Sequence, residues 1–277
     1  MADPKSLRNL IGWLRRRAGN RPEPSPIRNE AANRLLDRLE GLKFAPHTIV
    51  NLGSGPGEAT GALAGRYGDA HVLVLEEMPD SVVGGRPRQG RALVADAARM
   101  PLAESSVDLL FSNLALQRFG ELPDVLNGFR RVLRPGGLLL VSVFGPDTLS
   151  ELRQDAQEAG QALALRARLD VQTVGDALIR AGFTEPVLDT DWITQTFTEP
   201  AALVDAGAAA GVLQSNADHA PLRARLEQLH GDRDEFPTTW EIVYASAWAP
   251  DEGAPIRTGG GEEASVSIAG IGRRKRP

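Results

Sequence analysis

Residues 47–60 read HTIVNLGSGPGEAT, and the fold turns on this stretch. Ile49, Val50 and Leu52 make a short apolar strand that runs straight into glycines. Gly53, Gly55 and Gly57 let the chain turn tightly and bring bare backbone against a ligand. EATGALAGRYG (58–68) then reads as a helix closed by Gly68. A strand, a glycine turn and a helix form the place where doubly wound sheets bind nucleotide-like ligands. Glycine-rich turns are often only turns, so the neighbouring segments have to carry the rest of the argument.

Working outward, apolar strands alternate with helices. AHVLVLE (70–76), RALVADA (91–97), VDLLFSN (107–113) and LLLVSVFG (138–145) read as buried strands. LPDVLNGFRRVLRPGG (122–137) reads as a helix with a Pro-Gly-Gly stop. TEPVLDTDWITQTF (184–197) and TTWEIVYASAWAP (238–250) add two strands, with Trp240, Tyr244 and Trp248 alternating as core residues. Helices are expected at 27–41, 147–160, 173–182, 199–211 and 217–231. The pattern predicts an α/β fold: a mostly parallel seven-stranded sheet, helices on both faces, and a small helical lid from 194 to 235.

The spacing of the glycine loop points away from dinucleotides. Glu58 occupies the place of the last glycine in Gly-x-Gly-x-x-Gly, and an acid sits poorly beside a pyrophosphate at a helix N-terminus. S-adenosylmethionine has no phosphate and carries a positive sulfonium, so it suits the loop better. Glu76 lies 19 residues past Gly57, near the spacing of a ribose-binding acid, and adjacent Glu77 can exchange roles with it. Asp96, with Ala97, follows the third strand, where an acceptor can take the adenine amino group; taken alone, Asp96 reads as a helix N-cap. Met100 and Pro101 can wall the ring. Asn113 and Leu114 end the fourth strand, at the edge where ligands collect. With Asn51, Gly53, Ser54, Gly55 and Gly57 these residues form the candidate cofactor set.

Four signals at four successive strand ends are more specific than any one. The stretch 48–145 resembles the core of a class I S-adenosylmethionine-dependent methyltransferase, with its glycine loop, strand-two acid, Asp-x-x-x-x-Pro and R-x-L-R-P-G-G (Arg131 to Gly137). A narrower resemblance rests on FGPDTLSELR (144–153), AGFTEPVLDTD (181–191) and TTWEIVYASAWAP (238–250). These phrases are similar to the malonyl-[acyl-carrier protein] O-methyltransferases of biotin synthesis, over residues 30–250. They occur more loosely in a mitochondrial complex I assembly factor that resembles a hydroxylase.

The resemblance implies that the free carboxylate of a malonyl thioester, on acyl carrier protein or coenzyme A, attacks the cofactor methyl to give a methyl ester. It implies Arg153 as the residue that orients that carboxylate, with Phe144 and Trp192 as walls of the acceptor pocket. Two departures stand out. Asn51 replaces the acid usual in the superfamily, and the segment before residue 30 lacks the F-x-x-A-A-x-x-Y lead-in, the only tyrosines being Tyr67 and Tyr244. Another small acid as acceptor, hydroxylation, or an assembly role without turnover therefore stay open as alternatives.

Composition bounds the rest. The chain has 277 residues, 31 Lys and Arg against 36 Asp and Glu, and no cysteine. Disulfides, zinc-thiolate sites and thiol nucleophiles are excluded. His47, His71, His219 and His230 show no ligand spacing, so no metal site is expected. A net charge of −5 does not favour nucleic acid. Residues 1–34 nevertheless carry eight Lys and Arg against three acids, and the chain closes on RRKRP. Residues 1–26 read as a basic arm with a Pro-rich linker, 27–250 as the methyltransferase domain, and 251–277 as a Gly-rich, basic tail. Arg15 to Arg17, Arg130 with Arg131, and Arg166 with Arg168 are candidates for docking an acidic carrier. No stretch has the roughly 20 apolar residues of a membrane span, so no stable membrane insertion is expected. A cytoplasmic location follows from the lack of a signal-peptide core, although LRNLIGWLRRRAGNR (7–21) shares features with organellar presequences.

Overall fold

The computed structural model describes residues 25–54, 57–77, 91–158, 160, 163–214, 219–230, 235–253, 256–258 and 261–263. The spacing of Leu7, Leu10, Ile11 and Leu14 predicts a short helix at 6–18; it lies outside the described residues, as do the rest of residues 1–24, Gly55 and most of the tail.

The main sheet holds β1 (Thr48–Leu52), β2 (His71–Glu76), β3 (Arg91–Val94), β4 (Val107–Asn113), β5 (Leu133–Phe144), β6 (Thr184–Phe197) and β7 (Phe236–Trp248). Their order is β3-β2-β1-β4-β5-β7-β6. The first five run parallel, and β7 pairs antiparallel with β5 and with β6. Strand order reverses between β1 and β4, which opens a crevice at their C-terminal ends.

Side-chain alternation explains why both faces are covered. In β4 and β5, Leu109, Phe111, Leu138 and Leu140 enter one core, while Leu110, Leu139 and Val141 enter the other. The first core is closed by α1 (Pro26–Asp37), α2 (Glu58–Arg66), α4 (Ser150–Glu158), α6 (Pro200–Ala210) and α7 (Ala220–His230), through residues such as Leu35, Leu63, Leu152, Leu203 and Leu226. The second is closed by α3 (Leu122–Val132) and α5 (Val171–Arg180), through Leu126, Phe129, Val174 and Leu178. Trp240 and Tyr244 are fully buried, as their alternation predicts.

Helix α1 is docked by charge as well as by its apolar stripe. Ser25 caps it, Arg34 bridges Glu30 and Asp191, and Arg38 pairs with Asp189 while lying 4.0 Å over the ring of Tyr244.

Two local expectations change. The helix expected over 122–137 stops at Val132, because Arg134 precedes a proline and Leu133 is already extended. The Pro-Gly-Gly element lies inside β5, at a register shift opposite Val107 and Leu109, with Gly136 at φ +68° donating to the Ala249 carbonyl. In the tail, β8 (Ile256–Thr258) and β9 (Gly261–Glu263) pair in a separate two-stranded ladder.

Candidate active site

The cofactor side of the crevice is made mostly of backbone. Gly53 has φ +67° and donates its N–H to the Leu75 carbonyl at 2.8 Å. A Cβ there would overlap the Ala115 side chain and stand 2.9 Å from Arg118 Nη2. Both conformation and space therefore demand glycine. Gly57, at φ +97°, opens α2 without a side-chain cap. Ser54 Oγ donates to Glu76 Oε1 at 2.8 Å and turns that carboxylate toward the loop.

Glu76 is 1% exposed, and its Oε2 has no hydrogen-bond donor. The nearest cation, Arg118 Nη2, stands 3.7 Å away, beyond hydrogen-bond range. A buried carboxylate oxygen without a donor is costly unless a ligand hydroxyl completes it. This half-satisfied acid, beside a loop whose Gly53 has no room for a side chain, fits the ribose of an adenosyl ligand.

The other expected cofactor residues are placed differently from one another. Asn51 Nδ2 donates to Thr60 Oγ1 at 2.8 Å, so the amide ties β1 to α2. Asp96 caps a 3₁₀ turn by accepting from the Ala98 N–H at 2.9 Å, its side chain exposed beside Arg99. Ala97 packs in the second core, and Glu77 is exposed just past β2. Met100 is also buried in the second core. Asn113 spends its amide on the Arg28 carbonyl, at 2.8 Å, and on the Ser142 hydroxyl, at 2.8 Å. Leu114 has φ +48°, and its N–H bonds Ser142. The two residues set the shape of the β4 end rather than presenting side chains to it.

Arg28 was not singled out by the sequence, since nothing local separates it from the other arginines of the first turns. It is 6% exposed. Its guanidinium donates to the carbonyls of Gly53, Asn113, Leu114 and Ala210 at 3.1 to 3.5 Å. One side chain thus holds the glycine loop, the β4 end and the end of α6 together.

The other side of the crevice is built by the phrase FGPDTLSELR. Gly145 runs so close to Glu241 that a Cβ would overlap its carboxylate. Glu241 Oε2 accepts the Asp147 N–H at 2.5 Å, and Thr148 Oγ1 donates to the Glu241 carbonyl at 2.8 Å. Glu151 accepts from Thr239 N–H at 3.1 Å and from its hydroxyl at 2.5 Å. Burial opposes ionisation of Glu151, but the bonds from Thr239 and Ser150 outweigh it and hold the carboxyl below its ordinary value. These ties fix the first turn of α4, and with it Arg153. Arg153 Nη2 donates to the Pro146 carbonyl at 2.8 Å, and its buried Nε has no acceptor.

The two expected pocket walls do not stand as a pair. Phe144 is 0% exposed and packs against Trp240 in the first core. Trp192 is 57% exposed on edge strand β6, its indole N–H reaching Asp147 at 3.4 Å. Arg130 and Arg131 end α3 where β5 begins, at the sheet edge opposite the crevice. Arg131 is spent on the carbonyls of Met100 and Leu102.

A methyltransferase domain model matches residues 50–141, the run from β1 through most of β5. The chain is 36% identical to a malonyl-[acyl-carrier protein] O-methyltransferase of Xylella fastidiosa, over 90% of both chains. The chain belongs to the malonyl-[acyl-carrier protein] O-methyltransferase family. Its relative in Halorhodospira halophila is 35% identical over 92% of this chain and 91% of that one. Among solved structures, the YcgJ protein of a Bacillus species aligns with a TM-score of 0.57 at 10% identity, over 80% of this chain and 99% of that one. That likeness shows the fold alone. As a member of the family the protein is an S-adenosylmethionine-dependent O-methyltransferase, and the Gly53–Glu76 corner fits that cofactor.

Proposed function

We propose that the protein methylates the free carboxylate of a malonyl thioester on acyl carrier protein, giving the methyl ester in early biotin synthesis. The bound cofactor supplies an electrophilic methyl group. Its ribose would be held by Glu76, and Gly53, Ser54, Gly55 and Gly57 would bring bare backbone against it. Asn113 and Leu114 would shape the crevice through their backbone. Asp96, Ala97 and Glu77 would border the adenine end.

The observation that carries the acceptor assignment is Arg153. The β5–α4 turn presents it at the C-terminal edge of the sheet, with a buried N–H that lacks an acceptor. A guanidinium is the best match to a carboxylate. Carboxylates are ionised at neutral pH, so the acceptor needs no general base. The residues therefore act by alignment and by keeping water from the two opposite charges. Arg153 holds one oxygen and leaves the other free as nucleophile.

The segment between β6 and β7 would close over this acceptor. Its helices α6 and α7 begin beyond residue 197, where β6 ends. Arg28 joins the end of α6 to the glycine loop, which gives the lid a direct link to cofactor binding. Residues 27–250 would act as the catalytic domain, with 1–26 and 251–277 as appended basic segments. Among the described residues no helix is long and apolar enough to cross a membrane. The carrier protein would be met in the cytoplasm.

The test is the intact mass of malonyl-acyl carrier protein after incubation with the protein and S-adenosylmethionine. A gain of one methyl, lost in Arg153→Ala, is expected. No gain from protein that binds S-adenosylhomocysteine would move the assignment to another acid or to an assembly role.

A further inference from the structure

The segment after α4 forms a strap along the C-terminal edge of the sheet. Leu169 N–H bonds the Phe144 carbonyl at 2.9 Å, which anchors the strap to the end of β5. Arg166 N–H bonds Val212 at 2.8 Å, Gln214 N–H bonds Ala164 at 3.0 Å, and Leu165 bridges Leu213 antiparallel. This ribbon ties the strap to the chain that leaves α6.

The strap carries Arg166 and Arg168, both half-buried, with exposed Ala167 between them. Each answers to a second arginine. Burial, then the charge of Arg118, pushes the Arg166 guanidinium below its ordinary value, and Glu77 partly offsets this. Burial, then the charge of Arg153, does the same to Arg168, and no carboxylate offsets it. Arg168 Nη1 and Arg153 Nε are both buried without an acceptor, and neither side chain forms an ion pair among the described residues. Two partly buried cations with open N–H groups are unfavourable by themselves. Leu169 is bonded to the Phe144 carbonyl and Arg153 to the Pro146 carbonyl, so the chain brings Arg168 and Arg153 to the same end of β5.

We infer that Arg168 is the second arm of the acceptor's carboxylate site, closing on the carboxylate from the strap while Arg153 holds it from α4. The inference rests on the proposed carboxyl methylation. A two-sided site explains how the carboxylate can be gripped and stay reactive: both guanidiniums converge on one oxygen, and the second oxygen faces the methyl donor. It also makes the site selective. An acyl group without the carboxylate leaves both arginines unpaired, which is the situation that gives large discrimination.

The test uses the full chain saturated with S-adenosylhomocysteine, so that no turnover occurs. Affinities for malonyl- and acetyl-acyl carrier protein are compared by titration. The wild type should prefer the malonyl form by about 100-fold or more. Arg168→Gln should remove most of that preference while leaving the acetyl form's affinity, the S-adenosylhomocysteine affinity and the Tm unchanged. Arg168→Lys, which keeps the charge without the fork, should restore only part of it. An unchanged preference in Arg168→Gln, or no preference in the wild type, overturns the inference. Should the wild type fail to methylate malonyl-acyl carrier protein, the proposed acceptor falls separately. An Arg168-dependent preference for the malonyl form that persists without methylation would still uphold the two-arginine site.

Discussion

The two halves of the crevice are built on different principles. The cofactor half, around β1 and β2, is made of turns: Gly53 and Gly57 at positive φ, and Glu76 at a strand end a fixed distance along the chain. The acceptor half, around β5 and β7, is made of side chains that meet across long stretches of sequence. Glu151 bonds Thr239, and Asp147 bonds Glu241, about 90 residues apart in each case. Between the halves stands Arg28, whose guanidinium touches the glycine loop, the β4 end and the α6 end. The first half is specified locally and the second only by the finished fold.

The sharpest way to break the cofactor half is Gly53→Ala. It combines a positive φ with overlap on Ala115, so it should abolish S-adenosylhomocysteine binding and destabilise the chain by about 3 kcal/mol. Calorimetric titration and urea unfolding read the two effects. Arg28→Met tests the link between the halves. It leaves four carbonyls without this donor and should cost about 2–3 kcal/mol, lowering Tm and cofactor affinity together. Loss of Tm with cofactor affinity intact would confine Arg28 to packing.

Glu76→Gln keeps the shape of the corner and removes its charge. Cofactor affinity should fall roughly tenfold to a hundredfold, with stability nearly unchanged, because Oε2 lacks a donor before the ligand binds. An equal affinity in the variant would remove the ribose assignment.

The smallest effect belongs to the acceptor half and depends on pH. Glu151 is held below its ordinary value in the folded protein, so its stabilisation is present above the unfolded pKa of 4.5 and is lost as pH falls through the lower, folded value. Glu151→Gln should therefore flatten the dependence of urea midpoint on pH below about 4.5, with little change in shape at neutral pH. A parallel shift at all pH values would mean that the hydrogen bonds to Thr239 matter and the charge does not.

The same contrast governs what the sequence revealed. The seven strands, the glycine loop and the strand-two acid all follow from local rules of periodicity and spacing. Asn51 was legible as a candidate cofactor residue at the loop, but its direction depends on Thr60, which faces it from α2. Phe144 was legible as apolar, but only the sheet's pleat decides that it enters the core against Trp240. The Pro-Gly-Gly element reads as a helix stop because its punctuation is strong, yet the register against β4 makes it a bulge. Arg28 left no local signal, because its partners are carbonyls brought together from three separate places: the glycine loop, the β4 end and the α6 end.

A labelled methyl group decides whether the product is a carboxyl ester. Malonyl-acyl carrier protein is incubated with the protein and methyl-labelled S-adenosylmethionine, then treated with mild alkali. Label is expected to enter the acyl carrier protein and to be released as methanol, the mark of a carboxyl ester. Label that never leaves the cofactor, or that stays on the carrier through alkali, would contradict carboxyl methylation.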